Sequence, residues 1–182
     1  TAYFTQAIFT AAGFKMGILG SIGHKFGSTF VPATTTTPQA LQLQQLLREM
    51  LDSGADSVVM EVTSHSLAQK RVAGIQFDAA VFTNLTQDHL DFHEDMQSYL
   101  NAKVELFRQL KKDKSVAILN VDDDASQYII QRTQAPILTY GVKKPANLYV
   151  KNVDSTLSHL KFTIITPNGE TDVYLKLLCE YN

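Results

Sequence analysis

Asp78-Ala79-Ala80-Val81-Phe82-Thr83-Asn84-Leu85-Thr86-Gln87-Asp88-His89-Leu90-Asp91-Phe92-His93 runs from an apolar strand straight into a polar burst, and Ala102-Lys103 follows at helical spacing. Two histidines, two aspartates and an asparagine crowd into one loop behind the strand. Open α/β sheets bind their ligands beyond the carboxyl ends of the strands, so this burst speaks for a fold and a site together.

Outward from that stretch, helix and strand patterns alternate. Upstream, Tyr3, Phe4, Ala7, Ile8 and Ala11 recur at helical steps with Gly13 as a stop. Met16 to Leu19 reads as a buried strand, and the glycine-rich segment from Gly20 to Gly27 as a mobile loop. Thr37 suits a helix N-cap and Pro38 a first helical position; Leu41, Leu43, Leu46, Leu47, Met50 and Leu51 mark a buried stripe that Gly54 ends. Ser57 to Val62 is a strand, and Ser64 to Lys70 a loop with a short helix. Downstream, Asp95 caps a helix to about Leu110; Val116 to Asn120, Asp123 to Thr133 and Ile137 to Tyr140 read as strand, helix and strand. This alternation predicts an α/β body over residues 1–144 with a mostly parallel sheet flanked by helices. From residue 145 to 178 the pattern changes. Leu148 to Val153, Leu160 to Thr166 and Thr171 to Leu177 alternate apolar and polar residues, with a turn at Pro167-Asn168-Gly169, which predicts a small antiparallel β subdomain.

The bulk composition suits one domain. The chain has 182 residues, 45% hydrophobic and 19% charged, with a formal net charge of -2. That charge offers no electrostatic footprint for nucleic acid. A single cysteine, Cys179, excludes an intrachain disulfide and suits a reducing compartment. No apolar run approaches the ~20 residues of a membrane span. Thr1 to Gly13 lacks the basic leader and cleavage pattern of a signal peptide. A cytoplasmic location is the expectation.

Glu61 ends an apolar strand, where an ionised carboxylate needs a partner; a metal ion, an arginine or water would serve. His89 and His93 stand four apart, a spacing found in zinc sites, but a third ligand is not evident. A magnesium site using one histidine and carboxylate-type oxygens is the competing reading, and Asp88 and Asp91 as turn residues the plain one. Lys103 stands between Tyr99 and Phe107 on the apolar side of its helix. It is either a lysine whose stem packs while its amine reaches water, or a partly buried amine of lowered pKa able to take up carbon dioxide as a carbamate. Arg71 has the fork to bind a carboxylate or phosphate, and Thr34 to Thr37 precede a helix N-terminus, which favours anions. The glycines at 17, 20 and 23 with Lys25 fit no phosphate-loop spacing, and Ser64-His65 makes no nucleophile-base pair by adjacency alone.

Taken in order, Thr36-Thr37-Pro38, Glu61-Val62-Thr63-Ser64-His65-Ser66-Leu67, Gln69-x-Arg71-Val72, the 82–93 stretch and Ala102-Lys103 with Leu106-Phe107 resemble the central, ATP-binding domain of the Mur ligases, over nearly the whole chain. The resemblance implies a P-loop ATPase-like fold and a reaction in peptidoglycan synthesis. ATP phosphorylates the free carboxylate of UDP-N-acetylmuramoyl-L-alanyl-D-glutamate, and the amine of meso-diaminopimelate or L-lysine attacks the acyl phosphate. It implies Glu61, His89 and a carbamylated Lys103 as magnesium ligands, Lys103 and His89 as catalytic residues, and Asn84 as a cofactor contact. Thr36, Thr37, Thr63, Gln69 and Arg71 then contact the UDP-muramyl-dipeptide. ATP and Mg2+ are the expected cofactors, and a monomer the expected state.

Departures accompany the match. The family's Gly-Lys-Thr phosphate loop is not in the chain, Thr1 resembling the residue just after it; Cys179 stands where glycine is usual, and Thr35 where histidine or asparagine is frequent. Residues 1–182 are therefore expected to be an incomplete central domain, inactive as a ligase alone. The rival readings are a related amide ligase of folylpolyglutamate or cyanophycin synthetase type, and a non-catalytic metal-binding or interaction module.

Overall fold

In the computed structural model, residues 1–86, 95–156 and 158–176 are described. The chain forms two compact units, Thr1–Ile75 with Leu90–Lys103, and Gln76–His89 with Val104–Asn182.

The first unit begins with α1 (Ala2–Ala11), β1 (Met16–Leu19), β2 (Gly23–Phe26), β3 (Thr29–Pro32), α2 (Ala40–Asp52), β4 (Ser57–Met60) and α3 (Ser64–Ala68). Its sheet has the order β3-β2-β1-β4, with β1 and β4 parallel and the other neighbours antiparallel. Every residue of β1 is buried, as its unbroken apolar run requires of a strand covered on both faces. Leu43 and Met50 of α2 are buried and Leu46 and Leu47 half-buried, a stripe at helical spacing. Full burial of one such side chain stabilises by about 1.5–3 kcal/mol. Met50 of α2 packs directly over the bare backbone of β1 at Gly17, where a Cβ would stand 2.7 Å from the Met50 sulfur and make that side chain shift.

Several sequence expectations are corrected here. Leu41 and Leu51 are 74% and 58% exposed, because they lie off the 43-46-47-50 stripe. The segment from Gly20 to Gly27 is a hairpin arm, with β2 pairing β1 on one side and β3 on the other. Its turn uses Gly27 at φ +56°, and Gly23 admits the Phe30 ring so closely that no Cβ would fit. Thr37 does not cap α2, which has Gln39 at its N-cap position; the Thr37 hydroxyl bonds elsewhere.

The second unit contains β5 (Ala79–Phe82), β6 (Val116–Asn120), α5 (Ala125–Ile130), β7 (Ile137–Gly141), β8 (Leu148–Ser155), β9 (Leu160–Thr166) and β10 (Gly169–Leu175). A further helix, α4 (Met96–Arg108), holds the boundary between the units after Lys103. As expected, Asp95 caps it, with its carboxylate accepting from the Ser98 amide at 2.7 Å. The sheet order is β10-β9-β8-β7-β6-β5, with β5 to β8 parallel and β8 to β10 antiparallel. The α/β class holds, and parallel pairing dominates this sheet. The antiparallel strands do not stand apart as a sheet of their own: β8 pairs β7 through Tyr140–Leu148 and Gly141–Tyr149. Phe82, Val104, Phe107, Leu119 and Ile129 form the buried centre, where the Phe82 and Phe107 rings meet edge to face.

Candidate functional site

In the first unit the site grows from the carboxyl ends of β1 and β4. Beyond the paired residues Leu19 and Met60, the Glu61 amide still donates to the Leu19 carbonyl at 2.9 Å. This last rung fixes Glu61 beside the loop after β1. There Ser21 holds the Glu61 carboxylate through its amide at 3.0 Å and its hydroxyl at 2.7 Å. Gly20 permits the approach, since a Cβ there would lie 3.2 Å from the carboxylate carbon. The Ser21 hydroxyl also meets the Thr36 hydroxyl at 3.2 Å.

Thr37 is buried and joins two segments. Its hydroxyl donates to the Glu61 carbonyl at 2.9 Å and accepts from the Thr63 amide at 3.2 Å. Both capacities of the hydroxyl are thereby used on the chain around Glu61.

Helix α3 positions the remaining residues through its ends. Thr63 is the N-cap, accepting from the Ser66 amide at 3.2 Å. At the other end the Lys70 amide donates to the Leu67 carbonyl and the Arg71 amide to the Ser66 carbonyl, with Lys70 at φ +55°. This is a Schellman closure, normally favouring glycine at the left-handed position. It turns the chain back so that Arg71 donates from Nη1 to the Thr37 carbonyl at 2.8 Å and from Nε and Nη2 to the Gln69 amide oxygen at 2.8 and 2.6 Å. Thr36, Thr37, Glu61, Thr63, Gln69 and Arg71 thus belong to one hydrogen-bonded assembly. Ser21 joins it and was not singled out from the sequence; its place just beyond a buried strand is the same signal that marks Glu61.

In the second unit Asn84 is exposed in the loop that follows β5. Tyr140 Oη donates to the Phe82 carbonyl at 3.1 Å, Asn120 Nδ2 to the Thr83 carbonyl at 2.8 Å, and the Leu85 amide to Asp123 at 2.6 Å. His89 and His93, with Asp88 and Asp91, lie outside the described residues. Lys103 is half-buried with its Nζ 5.0 Å from the Tyr99 ring centroid, a cation–π arrangement.

Among the described residues no group of three or more His, Cys, Asp or Glu side chains gathers into a metal cluster. The donor chemistry at Glu61 nevertheless suits magnesium, which takes oxygen ligands and keeps several waters beside one or two carboxylates. Ser21 bonds to Oε2, leaving Oε1 of this half-buried carboxylate outside that contact.

The family model described as the Mur ligase middle domain matches residues 1–182. The UDP-N-acetylmuramoyl-L-alanyl-D-glutamate--2,6-diaminopimelate ligase of Geobacillus thermodenitrificans is 42% identical over 187 aligned positions, covering 100% of this chain and 38% of that protein. The enzyme of the same name from Geobacter sulfurreducens is 41% identical, covering 100% of this chain and 37% of its own length. A solved structure of a ligase of that name superposes with a TM-score of 0.87 at 30% identity, covering 97% of this chain and 36% of that one. The chain therefore spans somewhat over a third of the length of these relatives.

Proposed function

The chain belongs to the Mur ligase family through its middle domain, and we propose that the full-length protein joins diaminopimelate to UDP-N-acetylmuramoyl-L-alanyl-D-glutamate at the expense of ATP. The assembly of Ser21, Thr36, Thr37, Glu61, Thr63, Gln69 and Arg71 beyond β1 and β4 carries this reading. Its residue types suit an anionic, hydroxyl-rich substrate, and relatives about 40% identical bear the corresponding name.

In this reading Thr36, Thr37, Thr63, Gln69 and Arg71 hold the UDP-muramyl-dipeptide and orient its free carboxylate. Arg71 supplies a fixed positive charge whose direction is set by Gln69 and the Thr37 carbonyl. Asn84 contacts the nucleotide. Glu61 would hold magnesium together with His89 and Lys103, the last as its carbamate. Bound magnesium would neutralise charge on the transferred phosphoryl group. Ser21 holds the Glu61 carboxylate through Oε2. The chain's remaining contribution is placement, since phosphoryl transfer depends mainly on alignment and electrostatics. A cytoplasmic monomer suits nucleotide-linked substrates, and among the described residues no helix is long and apolar enough to cross a membrane. Residues 1–182 alone are expected to form an inactive part of the enzyme.

The test is ADP release by the full-length protein given ATP, magnesium and diaminopimelate, with and without UDP-muramyl-dipeptide, for wild type and Glu61→Gln. The proposal expects dipeptide-dependent release that falls at least about a hundredfold in Glu61→Gln. Release stimulated by a folate substrate instead would favour the folylpolyglutamate-type reading; no release would favour the non-catalytic module.

A further inference from the structure

Past the last paired residues of β5 and β6, Phe82 and Leu119, the backbone of β5 leaves the ladder. Side chains at or just beyond the carboxyl ends of β6, its neighbour, and β7, one strand further on, take over its polar groups. Tyr140 of β7 donates to the Phe82 carbonyl, Asn120 of β6 donates to the Thr83 carbonyl, and Asp123, just beyond β6, accepts from the Leu85 amide. Asn84 is exposed between the last two of these anchors.

The three anchors are themselves held. Asn120 Oδ1 accepts from the Asp122 amide at 3.0 Å, so its Nδ2 is directed to Thr83. The second carboxylate oxygen of Asp123 accepts from the Ala125 amide at 2.9 Å. Asp122 grips the turn after β7, accepting from the amides of Val142, Lys143 and Lys144 at 2.6, 3.0 and 2.8 Å. Burial and the Asp122 charge raise the Tyr140 pKa, keeping its phenol a donor at neutral pH. Every contact belongs to the second unit.

We propose that Asn120, Asp123 and Tyr140 are positioning residues that fix the backbone from Phe82 to Leu85 and so present Asn84 to the nucleotide. This rests on the reading of Asn84 as a nucleotide contact. Three bonds to nearly consecutive backbone groups leave this stretch little freedom, and small misplacements in a phosphoryl-transfer site are costly to rate. None of the three side chains needs to touch a substrate to act this way.

The experiment uses the full-length protein as wild type, Tyr140→Phe, Asn120→Asp and Asp123→Ala. Tyr140→Phe removes one hydroxyl. Asn120→Asp keeps the acceptor for the Asp122 amide and turns a carboxylate oxygen toward the Thr83 carbonyl. Dipeptide-dependent ADP release yields KM for ATP and for the dipeptide, and hydrogen exchange reports the segment containing the Leu85 amide. The proposal expects KM for ATP to rise about tenfold in Tyr140→Phe and Asn120→Asp while KM for the dipeptide stays within about twofold. It expects faster exchange at Leu85 in Asp123→Ala. Variants that lose only thermal stability, with both KM values unchanged, would overturn it; Tyr140→Phe decides if the others do not fold. A wild-type protein without dipeptide-dependent release would instead sink the reading of function on which the inference stands.

Discussion

Ser21 and Glu61 show how one residue can hold a carboxylate at the end of a strand. Two bonds from Ser21 reach the same Glu61 oxygen, and Ser21→Ala removes one of them while leaving the amide bond. This change is expected to lower kcat about five- to tenfold and to raise the magnesium concentration needed for half-maximal rate, with the dipeptide KM unchanged. Unaltered magnesium dependence would show that Ser21 is not orienting Glu61. Lys103 supplies a second prediction. Lys103→Ala should abolish most of the rate, and short carboxylic acids should restore part of it if a carbamate oxygen is what the lysine provides. Lys103→Ala without loss of rate would contradict the carbamate reading and leave Lys103 a structural residue, its cation–π contact with Tyr99 included. His24 titrates by a different logic. It is 4% exposed, its Nδ1 has no hydrogen-bond partner among the described residues, and burial lowers its pKa below the usual 6.5. The unfolded chain therefore takes up a proton at higher pH than the native one. The native state is unaffected above the unfolded pKa and loses stability as pH falls below it. Urea unfolding of the full-length protein at about pH 7.5 and about pH 5.5 should show that loss, reduced in His24→Gln. Equal pH dependence in the two proteins would contradict it.

At the scale of elements, α3 is a five-residue helix whose two ends carry the site. Thr63 caps one end, and the Schellman closure at the other aims Arg71 at Thr37. The closure places Lys70 at φ +55°, which costs a side-chain-bearing residue about 1 kcal/mol relative to glycine. Lys70→Gly should raise stability by about 0.5–1 kcal/mol with activity unchanged, read from thermal unfolding. A lower melting point would mean the Lys70 side chain contributes more than its strain costs. The same helix shows the reach of sequence reading. Glu61, Thr63, Gln69 and Arg71 were legible as a motif, and the cap at Thr63 and the closure at Lys70 explain how that spacing brings the last three together. Thr37 was legible as a helix cap and is something else. A threonine before a proline suits a cap by local rules, but a buried hydroxyl bonds whichever backbone groups the fold brings near, here Glu61 and Thr63. The β2–β3 hairpin was missed for a related reason. A short glycine-bearing strand shows little alternation, and the ring of Phe30 over Gly23 is visible only once the strands pair.

At the scale of the whole molecule, the alternation of helix and strand carried the α/β class, and the change of pattern near residue 145 carried the antiparallel strands. Their continuity with the parallel sheet was not legible, because pairing between β7 and β8 rests on only two residue pairs. Asn120, Asp123 and Tyr140 were likewise invisible as partners of the β5 loop, since they lie 37, 38 and 58 positions from the groups they bond. Both units place polar residues at the carboxyl ends of parallel strands, the position where α/β proteins bind ligands. The central claim, that these ends serve an ATP-dependent ligase, is tested most directly by product stoichiometry. Full-length protein would be incubated with ATP, magnesium, UDP-N-acetylmuramoyl-L-alanyl-D-glutamate and diaminopimelate, and the products followed by mass spectrometry. The account expects nucleotide-linked tripeptide and ADP in equal amounts, with neither formed when the dipeptide is left out. ADP without tripeptide, or no turnover with all four components present, would contradict it.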